Sequence, residues 1–250
     1  MSNERPTSKK SSQTNDGLDQ LSNEQTERIV QARLRLMARF KAAQQSSPSV
    51  ADQQPQGSGP TNHHGMPAIP VGQVETEKWP VLDLGIKPEI DRSSWSLTLD
   101  GQVTNPVRLT WSDFQSLEQI EDVSDFHCVT TWSRLNLKWV GVRFSTLAAL
   151  AQPFDTAAHV MCHAADGYTT NVSLIEALKD DVLLVHQVDD APLSHDHGGP
   201  VRMITPQLYA WKGAKWITRI EFLEKDRRGY WEERGYSNTA FPWRNDRYSD

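Results

Sequence analysis

All nine tryptophans of this 250-residue chain lie after residue 78. Large aromatic side chains supply much of the apolar surface that a core buries, so the core has to be assembled from the later part of the chain. Residues 1–20 and 44–65 are rich in Ser, Gln, Asn, Pro and Gly. That composition buries too little apolar surface to offset chain entropy, and disorder or extended linker is expected there. Between these stretches Ile29, Ala32, Leu36 and Phe40 share one helical face, with Arg28, Arg35 and Arg39 largely outside it. Ser22 and Gln25 resemble a capping box. An amphipathic helix is therefore expected over about 22–43, docked on its own domain or a symmetry mate, or serving a membrane surface or partner. The expected division is a tail over 1–65 and one domain over 66–250.

The charge balance, 26 basic against 32 acidic residues and a net −6, argues against a nucleic-acid binder, whose affinity rests on clustered positive charge. The two cysteines, Cys128 and Cys162, suggest no disulfide framework and point to a reducing compartment. The first residues lack an apolar run and a twin-arginine pair, and no stretch is apolar for long enough to span a membrane. A cytoplasmic protein without an integral membrane segment is expected.

Local patterns in the domain alternate between short strands and short helices. Residues 66–85, punctuated by Pro and Gly, read as an irregular extended arm. Trp95, Leu97 and Leu99 alternate with polar residues as in a half-buried strand, and Val107 and Leu109 continue the return after the Asp100-Gly101 turn. Thr110 precedes a short helix. Val123–Cys128 is extended. Ser145 is a candidate cap for the helix TLAALA, and Ser173 with Glu176 for LIEALKD. His159–His163, Val182–Val188 and Trp216–Leu223 read as strands. Without a steady βαβ rhythm this is an α+β chain with mixed sheets, not a doubly wound one. It carries no GxGxxG, P-loop or HExxH motif.

Five features could carry chemistry. Cys128 stands alone at a strand end, with Trp132 and Trp139 beyond it and Gly141 closing the stretch. It is either an inert buried thiol or a single soft ligand for a metal that something else also holds. In HGGPVRMITP, Gly198 and Gly199 permit close backbone approach, and Arg202 offers a planar donor fork suited to phosphate; a plain glycine turn with a surface arginine would look the same. In WKGAKW, the backbone at Gly213 and Ala214 with Lys212 and Lys215 could cradle an anion, or could be a basic turn. His127-Cys128 and Cys162-His163 could make a structural zinc site, although neighbours on a strand point to opposite faces. The C-terminus, with Trp231, Tyr236, Trp243 and Tyr248, reads as a strap wrapped on the domain.

Taken together these pieces resemble the sulfite oxidase-like family with the oxidoreductase molybdopterin-binding domain. The protein-methionine-sulfoxide reductase catalytic subunit is a more distant relative. The stretches that carry the resemblance are IPVGQVETEKWPVLDLG (69–85), WSLTLDGQV (95–103), FHCVTTWSRLNLKWVGV (126–142), GGPVRMITPQLYAWKGAKW (198–216) and GYWEERGYSNTAFPWRNDRY (229–248). The resemblance implies the sulfite oxidase molybdopterin-binding fold as a single domain with an N-terminal tail. It also implies a molybdenum–molybdopterin cofactor, with Cys128 as metal ligand and catalytic centre. Arg202, Lys215, Gly213 and Ala214 would contact the cofactor, and His197 stands where the reductase branch has an asparagine. His163 and Trp132 are pocket candidates, and the arm around Trp79–Leu82 is brought toward the pterin. Sulfite oxidases proper carry arginines shortly after the cysteine; here Thr130, Thr131, Trp132 and Ser133 precede the first one, Arg134. The implied function is two-electron oxygen-atom transfer to or from a small substrate, with electrons exchanged with a separate partner. The alternatives are a non-catalytic binding module on the same scaffold and a structural zinc protein.

Overall fold

The computed structural model describes residues 54–85 and 87–248. The helix expected over 22–43 lies outside them. Three sheets make up the body. The first is a hairpin of β1 (Gly57–Thr61) and β2 (Pro67–Pro70). The second has six strands: β11 (Ala191–Pro192), β10 (Leu183–Val188), β7 (Trp132–Arg143) and β3 (Val74–Glu75) in order, with β6 (Ile120–His127) also on β7 and β12 (Arg202–Ile204) also on β10. The third has the order β5 (Val107–Thr110), β4 (Ser96–Gly101), β13 (Ile217–Leu223), β8 (His159–Ala164) and β9 (Thr169–Ser173). Only the β3–β7 and β4–β13 pairs are parallel among these described strands. With three short α-helices among the described residues, α1 (Trp111–Ser116), α2 (Phe144–Ala151) and α3 (Leu174–Ala177), this is the mixed-sheet α+β architecture expected.

Alternation places the strands correctly. Leu97 and Leu99 of β4 are sealed in the core while Ser96 and Thr98 are half-buried, as a two-residue side-chain period requires. Thr110 caps α1 with the reciprocal bonds of a capping box to Asp113. The main core lies around the five-stranded sheet and the helices, with Trp95, Phe114, Phe144, Leu147, Ile220 and Phe222 among its members. A second cluster, built on Leu137, Trp139, Leu183, Val185 and Ile204, has Trp79 and Phe126 packed against it. A third joins Tyr209, Trp211 and Ala240 to Val129, Trp231 and Tyr236, and so ties the C-terminal strap to the body.

Three local expectations are corrected. The arm over 66–85 is not wholly irregular: it carries β2 and β3, and β1 lies inside the segment assigned to the tail. Pairing to β1 and, at Val74↔Trp132, to β7 satisfies backbone groups that local sequence could not. Ser145 does not cap α2. The Phe144 N–H donates to Val182 O at 2.9 Å and the buried Phe144 ring starts the helix two residues earlier, with Arg143 at the N-cap. α3 stops after four residues: Ser173 accepts from the Glu176 N–H at 3.4 Å, but the Glu176 carboxylate turns to Lys179 at 2.6 Å.

Candidate active site

Cys128 follows directly on β6, the strand that β7 pairs with along its length. Its N–H donates to Trp132 O at 2.9 Å, and its carbonyl accepts from the Thr131 N–H at 3.2 Å. The chain therefore reverses between β6 and β7 within a few residues. Thr131 takes a φ of +76°, a left-handed conformation that costs a β-branched residue roughly 1–3 kcal/mol. The tight turn leaves the Cys128 Sγ 3.1 Å from Thr130 Oγ1. Burial pushes the thiol up, while the Thr130 hydrogen bonds and the charges of Arg247 and Arg202 act the other way.

A second strand end supplies the positive charge. Arg202, at the start of β12, is 3% exposed. It donates to the carbonyls of His197 at 3.0 Å and Gly213 at 3.1 Å. Lys215 donates to Asp196 O at 2.7 Å, and Trp216 Nε1 to His195 O at 2.9 Å. Among the described residues neither Arg202 nor Lys215 forms an ion pair with a carboxylate. Burial pushes Arg202 down to about 10, and burial together with Arg202 pushes Lys215 down to about 8. Both remain cationic at neutral pH, with carbonyl oxygens as hydrogen-bond acceptors and the Trp79, Phe126 and Trp216 rings beside them. Gly198 makes this convergence possible: at φ +106° a Cβ there would lie 2.9 Å from Lys215 Cα and 3.1 Å from Arg202 Cβ.

The thiol and the two cations open onto one cavity of about 360 Å³, the size of a small-molecule or cofactor site. Near Cys128 its wall is Val129, Thr130, Trp132, Trp231 and Tyr236; near the cations it is His197, Gly213, Tyr168 and Asp166. The arm roofs it with Trp79, Pro80 and residues 82–84. Trp79 stacks on the His197 ring at 3.8 Å and 18°. His197 Nε2 donates to Trp79 O at 3.0 Å, so in the neutral ring Nδ1 accepts from Ser194 Oγ at 2.8 Å. Both ring nitrogens are thus engaged within the protein.

Five of the six residues singled out from the sequence, Cys128, His197, Arg202, Gly213 and Lys215, line this cavity, as does Trp132. Ala214 does not. It is sealed in the core and its carbonyl accepts from the Met203 N–H at 3.0 Å, because the two strand ends meet edge to edge there. The amide of Gly213 is also spoken for, donating to Ala210 O at 3.1 Å, so the cradle is made by side-chain cations more than by these amides. His163 points elsewhere: its Nε2 lies 3.0 Å from Glu221 Oε2 on the neighbouring β13. The zinc arrangement does not form among the described residues. Cys162, on the five-stranded sheet, has its Sγ 3.4 Å from Met203 Sδ of β12, while His127 Nδ1 meets Ser133 Oγ at 2.8 Å on the six-stranded one. Asp166, read from the sequence only as half of a turn, and Tyr168 were not visible as cavity residues. Trp231 and Tyr236 were signalled only by the aromatic content of the strap.

The fold is that of the sulfite oxidase-like molybdopterin proteins: the sulfane dehydrogenase SoxCD of Paracoccus pantotrophus superposes with a TM-score of 0.52 over 72% of this chain and 60% of that one, at 18% identity. The family model described as the oxidoreductase molybdopterin binding domain matches residues 84–231, and the chain belongs to that family. An uncharacterized oxidoreductase of Bacillus subtilis, YuiH, is 38% identical over 182 residues, 72% of this chain and 92% of that one. A putative protein-methionine-sulfoxide reductase subunit of Azospira oryzae is 30% identical, covering 60% of this chain and 56% of its own length. The mitochondrial sulfite oxidase of Drosophila melanogaster is 34% identical over 40% of this chain and 19% of its own. The chain is therefore a molybdopterin-dependent oxidoreductase with a molybdenum–molybdopterin cofactor. The residues present fit that group: a soft thiol and two cations that form no ion pair among the described residues face one cavity, as a sulfur-bound metal and a phosphate require.

Proposed function

We propose that this enzyme carries out two-electron oxygen-atom transfer to or from a small, uncharged substrate, with Cys128 as the protein's ligand to molybdenum. The observation that carries the reading is the buried Arg202, which faces the cavity and, among the described residues, hydrogen-bonds to carbonyl oxygens and pairs with no carboxylate. A buried cation left in this state is unfavourable and calls for an anion. Arg202 and Lys215 would hold the cofactor's phosphate end, and His197 with Trp79 would close over it through the ring stack. When bound, the cofactor supplies a metal centre that exchanges an oxygen atom and two electrons.

The chain's residues do the rest. Thr130 holds its hydroxyl against Sγ at 3.1 Å and so favours the thiolate, the form that binds a metal. Val129, Trp132, Trp231 and Tyr236 exclude water from the thiol's side of the cavity and leave it apolar. Arg134, the first arginine after Cys128, is turned to Asp189 at 2.6 Å and is not among the cavity residues. An oxyanion such as sulfite would then find no arginine of the post-cysteine segment to bind, which favours a neutral sulfoxide or N-oxide. Electrons would pass to or from a separate redox partner. The two free, buried cysteines are compatible with a cytoplasmic setting, and no described helix is long and apolar enough to cross a membrane. Sulfite, sulfoxides and N-oxides assayed with one-electron dyes test the reading. Turnover of a neutral oxide with no sulfite oxidation is expected, and sulfite as the preferred substrate would overturn it.

A further inference from the structure

Cys128 can present its sulfur at one angle only if the strained turn that carries it is held from outside. The segments that hold it lie beyond the stretch matched by the family model, 84–231. From the arm, Gln73 Nε2 donates to Cys128 O at 3.0 Å, and the Val74 N–H donates to Thr131 O at 2.9 Å. From the strap, Arg247 Nη1 donates to Val129 O. The same guanidinium reaches back to the arm, with Nη2 donating to Gly72 O at 3.1 Å, and is fixed by Asn245 Oδ1 at 2.7 Å and by the Tyr209 ring at 5.0 Å. Gly72, at φ +69°, lets it in: a Cβ there would lie 3.3 Å from Arg247 Nη2. Gln73 and Arg247 are each only 8% exposed.

We infer that Gln73 and Arg247 are positioning residues that clamp the Cys128 turn from two sides, so that the arm and the strap set the geometry of the cysteine. The inference rests on the reading of Cys128 as the metal ligand. Three acceptors of the turn, the carbonyls of Cys128, Val129 and Thr131, are met by donors from outside it, two from the arm and one from the strap. A planar fork serving two carbonyls and an amide oxygen at once is a role that a lysine cannot fill. Such over-determination is what keeps a β-branched residue in a left-handed conformation at Thr131.

The test uses Arg247→Gln, Arg247→Lys and Gln73→Ala in the full chain. Amide hydrogen exchange is read on the peptide Phe126–Arg134 in cofactor-free and cofactor-loaded protein, together with the visible absorption of the loaded protein, kcat and KM. Arg247→Gln and Gln73→Ala are expected to speed exchange in the turn at least tenfold, alter the absorption band, and lower kcat at least tenfold with KM within about twofold. Arg247→Lys should recover only part of this. Unchanged exchange and absorption, or changes that merely follow a lowered melting temperature, would overturn the clamp. Should Arg247→Gln fail to fold, Gln73→Ala decides, since it removes one neutral hydrogen bond. A wild-type protein without molybdenum would refute the metal reading instead, and the exchange data on the cofactor-free protein still decide the clamp.

Discussion

Arg202→Met separates a cofactor-binding role from a structural one, because the two predict opposite patterns. The burial that pushes Arg202 down to about 10 corresponds to roughly 3 kcal/mol set against its charge in the cofactor-free fold. Methionine removes that charge and fills much of the same space. It also deprives the carbonyls of His197 and Gly213 of their donor, at about 1 kcal/mol or somewhat more apiece. These effects nearly cancel, so the cofactor-free melting temperature should move by no more than about 4 °C. Cofactor retention should respond far more. Two charge-assisted hydrogen bonds to a phosphate, at about 1.5–3 kcal/mol each, correspond to a weakening of roughly a hundredfold or more. Pterin released by oxidation and measured by fluorescence, per mole of protein, gives the second quantity and calorimetry the first. A variant that keeps its pterin while melting much lower would refute the reasoning.

Lys215 makes the stability of the cofactor-free fold depend on pH in the alkaline range. In the fold it holds its proton only below about 8, against an ordinary value of 10.5. Between these values the unfolded chain binds the extra proton, so stability contributed through this group rises with pH. Urea unfolding at several pH values across that window should show the rise in wild type and a flatter profile in Lys215→Met; equal slopes would contradict the assignment. Thr130→Val deletes the hydroxyl that opposes burial at the Cys128 thiol. The alkylation midpoint of Cys128 in cofactor-free protein should move to higher pH, read by peptide mass spectrometry. Cys162, whose thiol burial pushes up to about 12, stays unlabelled in the native protein. A midpoint that does not move would remove Thr130 from the account.

Much of this was legible before any coordinates. β4, β8, β10 and β13 announce themselves through alternation or apolar runs, and Thr110 ahead of a short helix is a local signal that folding does not override. Cys128, Arg202 and Lys215 stood out through the resemblance carried by five ordered stretches, since a lone thiol or a glycine-flanked cation has an ordinary structural reading by itself. Pairing between distant segments was not legible. β1 and β3 exist because β2 and β7 complete their hydrogen bonds, and nothing local at residues 57–61 or 74–75 states that. Ala214 was misplaced because sequence adjacency to Lys215 does not say which way a backbone faces at a strand end. Gln73 and Arg247 escaped notice for the same reason: the bond from Arg247 to Val129 spans 118 positions, and neither residue sits in a recognisable pattern.

The central claim is that the Cys128 sulfur is one of the ligands of a molybdenum that the cofactor also grips. Quantifying molybdenum and pterin in purified wild-type and Cys128→Ala protein tests it most directly. The account predicts about one molybdenum and one pterin per wild-type chain, with metal lost or released readily by chelator from the variant while Arg202 and Lys215 still retain pterin. Wild-type and variant proteins holding molybdenum equally firmly would contradict it.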